Sequence, residues 1–566
     1  MPKSNAEITA ELTAPGSRFE IAEQVIRGIP TRVWKNAPPS LAAVLERSRE
    51  YGDEIFLVYE DERLSFAEHY RRAARLARVL VEDWGVVKGD RVAIAMRNFP
   101  EWSLAFWAAA AAGAIVVPLN AWWTGEELEY GLADSGARLL FCDPQRAERV
   151  APRLGALALD RIVVARARGP LALEALRFED VGGVPDAGVT LPAVALDPED
   201  DATIFYTSGT TGHPKGALGS HRNICGNLVS LAFAQARAAA RSGAPTTPPA
   251  DRPRNAALLS VPFFHATGCH AILVSNTAFG GKLVMMHKWD PERALELIER
   301  ERLTTFGGVP AMVWQVLESP SFRTRDLSSV RSVSYGGAPA APELVRRIKE
   351  EFPGGTPSNG YGLTETSSVT TLNAGADYVA RPDSVGIPVP VCEVKVVSPE
   401  GTTLPVGEIG ELWIKGPNVV KGYWNKPEAT AETFTDGWLH SGDLARLDEE
   451  GFVYIVDRAK DMVIRGGENV YCVEVESVLY DHPDVVDAAV VGLPHKVLGE
   501  EVGAVVQVRP GAAVDAEDLR AHVARHLAAF KVPVRIDIRQ APLPRNATGK
   551  ILKRQLRDEM AGAAPA

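Results

Sequence analysis

The chain has 566 residues, of which 46% are hydrophobic and 23% are charged, and its formal net charge is −11. This length exceeds what one hydrophobic core usually supports, so we expect at least two domains. The composition is that of an ordinary soluble globular protein, and the acidic balance excludes an extended basic face for binding nucleic acid.

The cysteines indicate a reducing compartment. The chain has five of them, an odd number, scattered and without a CxxC pair: Cys142, Cys225, Cys269, Cys392 and Cys472. This pattern is typical of a cytoplasmic protein and predicts no zinc framework. His522 and His526 are four residues apart, but apolar neighbours favour an ordinary amphipathic helix over a metal site.

Neither targeting nor a membrane span is predicted. The first 16 residues are mixed in charge and lack the apolar segment of a signal peptide. The apolar run Leu104–Leu119 is shorter than a span requires and contains Gly113 and Pro118. It changes from alanine-rich to β-branched midway, so we expect a buried helix that leads into a buried strand.

In chain order, alanine-rich amphipathic stretches alternate with short apolar runs from about residue 40 to residue 283. This alternation predicts βα units on mostly parallel sheets. The segment Arg237–Asn255, rich in Pro, Ala and Arg, is predicted to be an exposed insertion. The expected strands are Arg91–Ala95, Ala114–Val117, Leu139–Phe141, Arg161–Val164, Ala256–Val261 and Lys282–Met285.

The pattern of apolar residues in the sequence changes near residue 385. Short apolar runs such as Glu393–Val397 and Glu411–Lys415 are separated by Gly and Pro, which predicts a small β-rich subdomain. After Arg458 helices and strands mix again. We therefore predict an α/β fold with a large N-terminal domain of βα-layered sheets plus the small β subdomain, residues 1–459. A small mobile α+β C-terminal domain, residues 460–566, follows it.

One loop predicts a phosphate site. The stretch TSGTTGHPKG, residues 207–216, follows the apolar run Ala202–Tyr206 and combines hydroxyls, glycines and Lys215. A glycine-rich loop after a strand lets backbone N–H groups approach phosphate oxygens. The spacing is not that of a Walker loop, because Pro214 stands where that motif needs its second glycine. A flexible surface loop is the plain alternative.

Four further stretches contain side chains suited to a nucleotide. In SNGYGLTET, an aromatic ring between glycines can stack on a base, and a carboxylate can hold Mg²⁺. In GWLHSGDL and in DRAKD, an aspartate and an arginine can bind a ribose diol or a phosphate. RGGENVY is a second glycine-centred turn, and PRNATGKI places a lysine directly after a glycine. Each stretch alone is weak evidence for a nucleotide site.

Together and in this order, TSGTTGHPKG, YGLTET, GWLHSGDL, DRAKDMVIRGGENVY and PRNATGKILKR resemble the adenylate-forming (AMP-binding) superfamily. This superfamily includes acyl-CoA synthetases, peptide-synthetase adenylation domains and beetle luciferases. The resemblance implies ATP, Mg²⁺ and CoA as cofactor and cosubstrates. It also implies that a carboxylate attacks the α-phosphorus of ATP and that a thiol then displaces AMP.

The resemblance also implies roles for individual residues. Tyr361 would stack on adenine with Asn359 near its amino edge, and Asp443 and Arg458 would hold the ribose. Thr364 would contact phosphate, and Glu365 would bind Mg²⁺. The phosphates of ATP would be held by Thr207, Ser208, Gly209, Thr210, Thr211, Gly212 and Lys215.

Other implied roles concern the acyl group and the second half-reaction. Lys550 would be the adenylating lysine and Lys460 the hinge, and Gly466 and Gly467 would line a thiol tunnel. Lys553 and Arg554 are expected to be solvated. The implied acyl pocket comprises His265, Val309, Gly336, Gly337, Ala338 and Gly362, with His265 as a gate beside the nucleotide.

The predicted activity is therefore that of an acyl-CoA synthetase for a hydrophobic carboxylic acid. The expected pocket contains no acid to pair with an ammonium group, which disfavours amino acids. A fatty acid, a bulky terpenoid or sterol-type acid, and an aryl acid stay open. A separate acyl carrier protein as acceptor, and a non-catalytic nucleotide-binding relative, are the alternatives. The oligomeric state also stays open, a homodimer included.

Overall fold

The structure, a computed structural model, describes residues 3–171, 173–182, 187–207, 213–247, 253–337, 342–352, 354–546 and 549–562. No helix within these ranges is both long and apolar enough to cross a membrane. The α-helices of the described residues are α1 (Asn5–Leu12), α2 (Leu41–Arg47), α3 (Phe66–Arg78), α4 (Pro100–Ala111), α5 (Gly125–Ser135), α6 (Pro144–Val150), α7 (Phe178–Gly182), α8 (His221–Arg241), α9 (Ser275–Phe279), α10 (Pro291–Arg300), α11 (Pro310–Leu317), α12 (Pro342–Glu351), α13 (Gly375–Ala380), α14 (Pro427–Thr433), α15 (Cys472–Tyr480), α16 (Ala516–His526) and α17 (Lys553–Met560).

The strands form five sheets. In chain order they are β1 (Ile21–Ile26), β2 (Ile29–Trp34), β3 (Ile55–Tyr59), β4 (Glu62–Ser65), β5 (Arg91–Ala95), β6 (Ile115–Pro118), β7 (Leu139–Cys142), β8 (Arg161–Val164), β9 (Leu176–Arg177), β10 (Asp201–Tyr206), β11 (Gly216–Ser220), β12 (Ala256–Leu259), β13 (Lys282–Met285), β14 (Thr305–Gly308), β15 (Ser332–Gly336), β16 (Thr356–Tyr361), β17 (Thr371–Ala374), β18 (Ile387–Pro388), β19 (Glu393–Val397), β20 (Gly410–Lys415), β21 (Phe434–Thr435), β22 (Trp438–Leu447), β23 (Val453–Arg458), β24 (Val463–Arg465), β25 (Glu468–Val470), β26 (Val485–His495), β27 (Gly499–Val508) and β28 (Arg535–Arg539).

The first large sheet has seven strands in the order β11-β10-β6-β5-β7-β8-β9, and all its pairs except β10–β11 are parallel. Parallel strands need crossover connections, and alanine-rich helices supply them. The apolar run that resembles a membrane span forms α4 and β6, both buried. The prediction of a buried helix that leads into a buried strand is confirmed.

The second large sheet has nine strands in the order β18-β17-β16-β15-β14-β12-β13-β3-β4. Its strands from β16 to β3 are parallel, so the carboxyl ends of β14, β15 and β16 meet at one edge. Ligands in open α/β sheets bind outside the carboxyl ends of such strands. This edge carries the candidate site.

Two smaller sheets follow. Strands β19 to β23 form an antiparallel sheet, and β24 to β28 form a mixed sheet, in which only β27 and β28 pair in parallel, with α15, α16 and α17 packed on it. The short apolar runs predicted as strands all form strands, and helices and strands mix after Arg458, as predicted. The predicted α/β class, with a smaller α+β unit at the carboxyl end, is confirmed.

The prediction of an exposed insertion at Arg237–Asn255 is wrong at its start. Helix α8 continues to Arg241, and Arg237 is 6% exposed. Its guanidinium donates to the backbone carbonyls of Leu372, Ile387 and Pro388. A buried arginine is stable when carbonyl oxygens surround it, and composition alone does not reveal those partners.

Candidate active site

A buried carboxylate joins three of the predicted residues. Asp443 of β22 lies opposite Arg458 of β23 in the antiparallel register and is 4% exposed. Arg458 Nε donates to one carboxylate oxygen at 2.6 Å, and Tyr361 Oη donates to the other at 2.6 Å. Burial and the Asp443 charge raise the pKa of Tyr361. The structure therefore brings three of the four predicted adenosine-binding residues into one network.

Glycines form the neighbouring edge of β15 and β16. Gly336 and Gly360 are partners in the parallel register, and a β-carbon at Gly336 would lie 2.3 Å from the Gly360 oxygen. Asn359 is buried beside them. A side chain at Gly336 would therefore push the two strands apart. Gly337 and Gly362 also line the cavity at this edge, whereas Ala338 lies outside the described residues.

The predicted metal ligand has a fixed position. Tyr423 Oη donates to Glu365 Oε1 at 2.7 Å, and the Val420 N–H donates to the Glu365 carbonyl at 2.9 Å. The Lys215 ammonium lies 5.1 Å from the centroid of the Tyr423 ring. Thr364 lines the same cavity. Sequence reasoning missed Tyr423, although the stretch KGYW places an aromatic after a glycine, as SNGYGLTET does.

The chain directly after Glu365 has an unusual backbone. Ser367 and Ser368 have φ of 54° and 117°, a region that residues other than glycine rarely adopt. Buried Asn227 donates to the carbonyls of Thr366 and Ser367 and accepts from the Val369 N–H. These three hydrogen bonds offset the strain. Asn227 is a second residue that the motifs do not indicate.

The ends of the phosphate loop are part of the site. Thr207 N donates to the Lys215 carbonyl at 2.9 Å, which closes the loop between β10 and β11, and both residues line the cavity. The predicted phosphate-binding residues Ser208, Gly209, Thr210, Thr211 and Gly212 lie outside the described residues.

The predicted adenylating lysine reaches the cavity although it belongs to the C-terminal unit. Gly549 has φ of +82°, and a β-carbon there would lie 2.7 Å from Val309 Cγ2. Val309 is thus buried under the lysine loop rather than along the cavity. Burial and the Arg458 charge lower the pKa of Lys550, whereas Asp443 and Glu365 oppose that shift. The lysine lines the cavity together with Arg458 and Glu365.

The predicted gate, His265, is neutral. Burial, followed by the Lys550 charge, lowers its pKa to about 3. Its Nδ1 accepts the Thr267 N–H at 3.3 Å, so the proton of the neutral ring is on Nε2. Such a ring adds no positive charge beside Lys550. The ring lines the cavity.

The residue predicted as the hinge and the predicted glycine turn lie in different places. Lys460 follows β23 and lines the cavity. Gly466 and Gly467, with φ of 60° and 92°, form the two-residue turn between β24 and β25, which suits a type I′ hairpin. Both glycines are exposed and do not line the cavity in this structure.

The expectation that Lys553 is solvated is wrong. Its Nζ lies 2.7 Å from Glu476 Oε1, and its side chain is 21% exposed, against 73% for Arg554. Burial lowers the pKa of Lys553, but the charges of Glu476, Cys472 and Asp457 outweigh burial, so its pKa is raised. A basic run in the sequence looks solvated because its partners are distant along the chain.

One cavity of about 1580 Å³ connects these residues. It extends from the end lined by Arg458, Lys460 and Lys550, across β14 to β17, to the end of α8. Glu365 is the one acidic side chain among its described lining residues. The described lining therefore offers no further carboxylate to pair with an ammonium group on an acyl substrate, as the sequence predicts.

Comparisons with known proteins agree with this geometry. The sequence model for "AMP-binding enzyme" matches residues 44–424, and that for "AMP-binding enzyme C-terminal domain" matches residues 474–550. The chain is 38% identical over 494 residues to a feruloyl-CoA synthase from Amycolatopsis sp, covering 87% of this chain and 93% of that protein. It is 34% identical over 541 residues to a long-chain-fatty-acid–CoA ligase from Bacillus subtilis strain 168, covering 91% and 93%. The crystal structure of ATP-bound MatB from Rhodopseudomonas palustris superimposes with a TM-score of 0.79 at 31% identity, covering 92% and 99%.

Proposed function

The chain belongs to the family of AMP-binding enzymes, and we propose that it is an ATP-dependent acyl-CoA synthetase for a hydrophobic carboxylic acid. In the first half-reaction, a carboxylate oxygen attacks the α-phosphorus of ATP and the bond to pyrophosphate breaks. In the second, the CoA sulfur attacks the acyl carbon and AMP leaves. The observation that carries this proposal is that Lys550 lines one cavity with Arg458 and Glu365, beside Asp443.

The adenosine end of the cavity is assigned to the buried network. Asp443 can accept both ribose hydroxyls, since a carboxylate has about four acceptor sites and two are filled by Tyr361 and Arg458. We assign adenine stacking to the Tyr361 ring and contact with the base edge to Asn359. Thr207 and Lys215, together with residues 208–212, are assigned to the phosphates.

Mg²⁺ fits the donor set around Glu365. Oε1 of this carboxylate accepts from Tyr423, which leaves Oε2 to bind the ion. Hard cations prefer such oxygens. Glu365 would hold the ion, with the Thr364 hydroxyl beside the phosphates. When bound, Mg²⁺ neutralises charge on the pyrophosphate leaving group.

Lys550 is the residue we assign to catalysis of adenylation. Its ammonium can bridge the carboxylate and the α-phosphate, two anions that repel each other as they approach. Neutral His265 separates the acyl and nucleotide ends without adding charge. We further propose that the C-terminal unit, residues 460–566, turns at Lys460 after the first half-reaction. That movement would bring Gly466 and Gly467 to the thiol of CoA.

The cytoplasm is the compartment we propose. All five cysteines are unpaired and buried, and free thiols persist in a reducing environment.

Two assays test this function. The purified chain is given ATP, Mg²⁺ and mixed carboxylic acids, and pyrophosphate release is followed before and after CoA is added. We expect acid-dependent pyrophosphate release, and then AMP and an acyl-CoA thioester identified by mass. Absence of pyrophosphate with every acid would overturn the proposal. Pyrophosphate release with acyl transfer to a phosphopantetheinylated carrier protein, and none to CoA, would move the acceptor to the carrier alternative.

A further inference from the structure

The acyl end of the cavity has a broad and flat floor. The parallel register aligns Gly307, Ser334 and Ser358 in one row, with Ala374 next to Ser358 on β17. Adjacent strands are about 4.8 Å apart, so these four positions span about 14 Å. No side chain in the row is larger than serine. In the next row toward the nucleotide, Gly336 and Gly360 also lack side chains, and Leu372 on β17 bounds that row.

Helix α8 lines the same cavity with small residues at several positions. Ala232, Ala236 and Ala239 lie on one helix face, and Leu231 and Gln235 line the cavity beside them. Above this floor the space is wide across the strands rather than a narrow channel. An unbranched alkyl chain, about 4 to 5 Å across, leaves much of that width empty, and an unfilled apolar void forfeits dispersion contacts. A planar ring system fills it.

Two serine hydroxyls on this floor have no hydrogen-bond partner among the residues that the structure describes. Ser358 is 8% exposed and lines the cavity, and Ser334 lies beside it on β15. Neither hydroxyl makes a hydrogen bond with any described residue. In contrast, the Thr305 hydroxyl donates to Asn255 Oδ1 at 3.0 Å, and the Ser260 hydroxyl donates to the Gly307 carbonyl. Ser334 is only partly buried and both residues line the cavity, so the Ser334–Ser358 pair is available to a ligand oxygen.

The distance between this serine pair and the glycine row matches the length of an aromatic ring. Ser334 and Ser358 precede Gly336 and Gly360 by two residues, which is about 6.6 Å along the strands. The glycine row borders the nucleotide end, where the carboxylate must lie. The serine pair therefore faces a substituent on the ring, remote from the reacting carboxylate.

From these observations we infer that Ser334 and Ser358 are specificity-determining residues that bind an oxygen substituent, a hydroxyl or ether, on a planar ring-bearing acyl group. This inference rests on the proposed acyl-CoA synthetase activity and adds the class of acid to it. The serine hydroxyls donate to or accept from that oxygen, and the flat floor accommodates the ring. Straight-chain acids use neither feature.

The test compares acids that differ by one hydroxyl. Pyrophosphate release gives kcat/KM for 6-hydroxy-2-naphthoic against 2-naphthoic acid, for 4-hydroxycinnamic against cinnamic acid, and for undecanoic acid. In the wild type we expect the hydroxylated member of at least one ring pair to be preferred about tenfold or more, and to exceed undecanoic acid. Ser334→Ala and Ser358→Ala should each reduce that preference to about twofold or less, with the KM for ATP unchanged.

The matched control is Ser329→Ala. Ser329 precedes β15 outside the cavity, and its hydroxyl donates to the Leu303 carbonyl at 2.7 Å. This variant should keep the wild-type preference. The inference is overturned when undecanoic acid is used best, when neither ring pair shows a preference, or when the preference survives in both cavity variants. Each of those results retains pyrophosphate release, whereas failure of the proposed function removes it for every acid.

Discussion

Gly549 and Val309 make the contact that seats the loop of Lys550, because a β-carbon at position 549 would lie 2.7 Å from Val309 Cγ2. The two residues are 240 positions apart and belong to different units of the chain. Gly549 also has φ of +82°. Both the backbone angle and the lack of a side chain are therefore required to place Lys550 in the cavity.

Gly549→Ala should slow adenylation selectively. The new methyl group pushes the loop away from Val309, and a displacement of about 1 Å at a catalytic group can cost on the order of 100-fold in rate. Pyrophosphate release by the variant should fall at least about tenfold, and thioester formation from preformed acyl-adenylate should be unchanged. The control is Gly511→Ala, since Gly511 has φ of +81° but no atom near its β-carbon position. Equal losses in the two variants would mean that backbone strain alone is responsible.

Lys550→Ala should affect the same half-reaction more strongly. Removing the ammonium should reduce acyl-adenylate formation by about 100-fold or more, by analogy with the loss of one donor to a developing charge. Preformed acyl-adenylate and CoA should still give thioester at close to the normal rate. Arg554→Ala is the appropriate control, because its side chain is 73% exposed. A variant that loses both half-reactions equally would contradict the assignment.

Local motifs account for what the sequence predicts correctly. Gly336, Tyr361, Asp443 and Arg458 lie at strand ends or in adjacent strands, where a short motif determines the backbone. The alternation of apolar runs and alanine-rich stretches likewise predicts the parallel sheets, because buried strands and their covering helices have different periodicities.

The remaining features depend on long-range contacts. Tyr423 and Glu365 are 58 residues apart, and Asn227 binds the turn after Glu365 from a helix 139 residues earlier. No local spacing encodes such pairs. Lys553 looks like one solvated charge in a basic run, yet Glu476 and Asp457 approach it from other elements. The sequence shows the charge but not its surroundings.

Asp443→Ala should raise the KM for ATP. A carboxylate with charge-assisted hydrogen bonds contributes about 1.5 to 3 kcal/mol, so the KM should increase at least about tenfold. Tyr361→Phe removes only the hydroxyl that donates to Asp443 and should have a smaller effect, while Tyr361→Ala also removes the stacking ring. Steady-state pyrophosphate release at varied ATP measures all three variants. An unchanged KM in both alanine variants would place the nucleotide elsewhere.

Lys553→Met should destabilise the protein in a pH-dependent manner. The change leaves the buried Glu476 carboxylate without its ion pair, and breaking such a pair by removing one partner costs about 3 kcal/mol. Burial already raises the pKa of Glu476 above 4.5, and loss of the lysine raises it further. A raised folded-state pKa favours the folded state at low pH, and this stabilisation is lost as the pH rises. Urea unfolding should therefore show a small deficit near about pH 5 that grows toward about pH 8. The double variant Lys553→Met with Glu476→Gln should recover most of the loss at about pH 8, and Arg554→Met should lose less than about 0.5 kcal/mol. A deficit that is constant with pH would show that lost packing, rather than an unpaired charge, causes the instability.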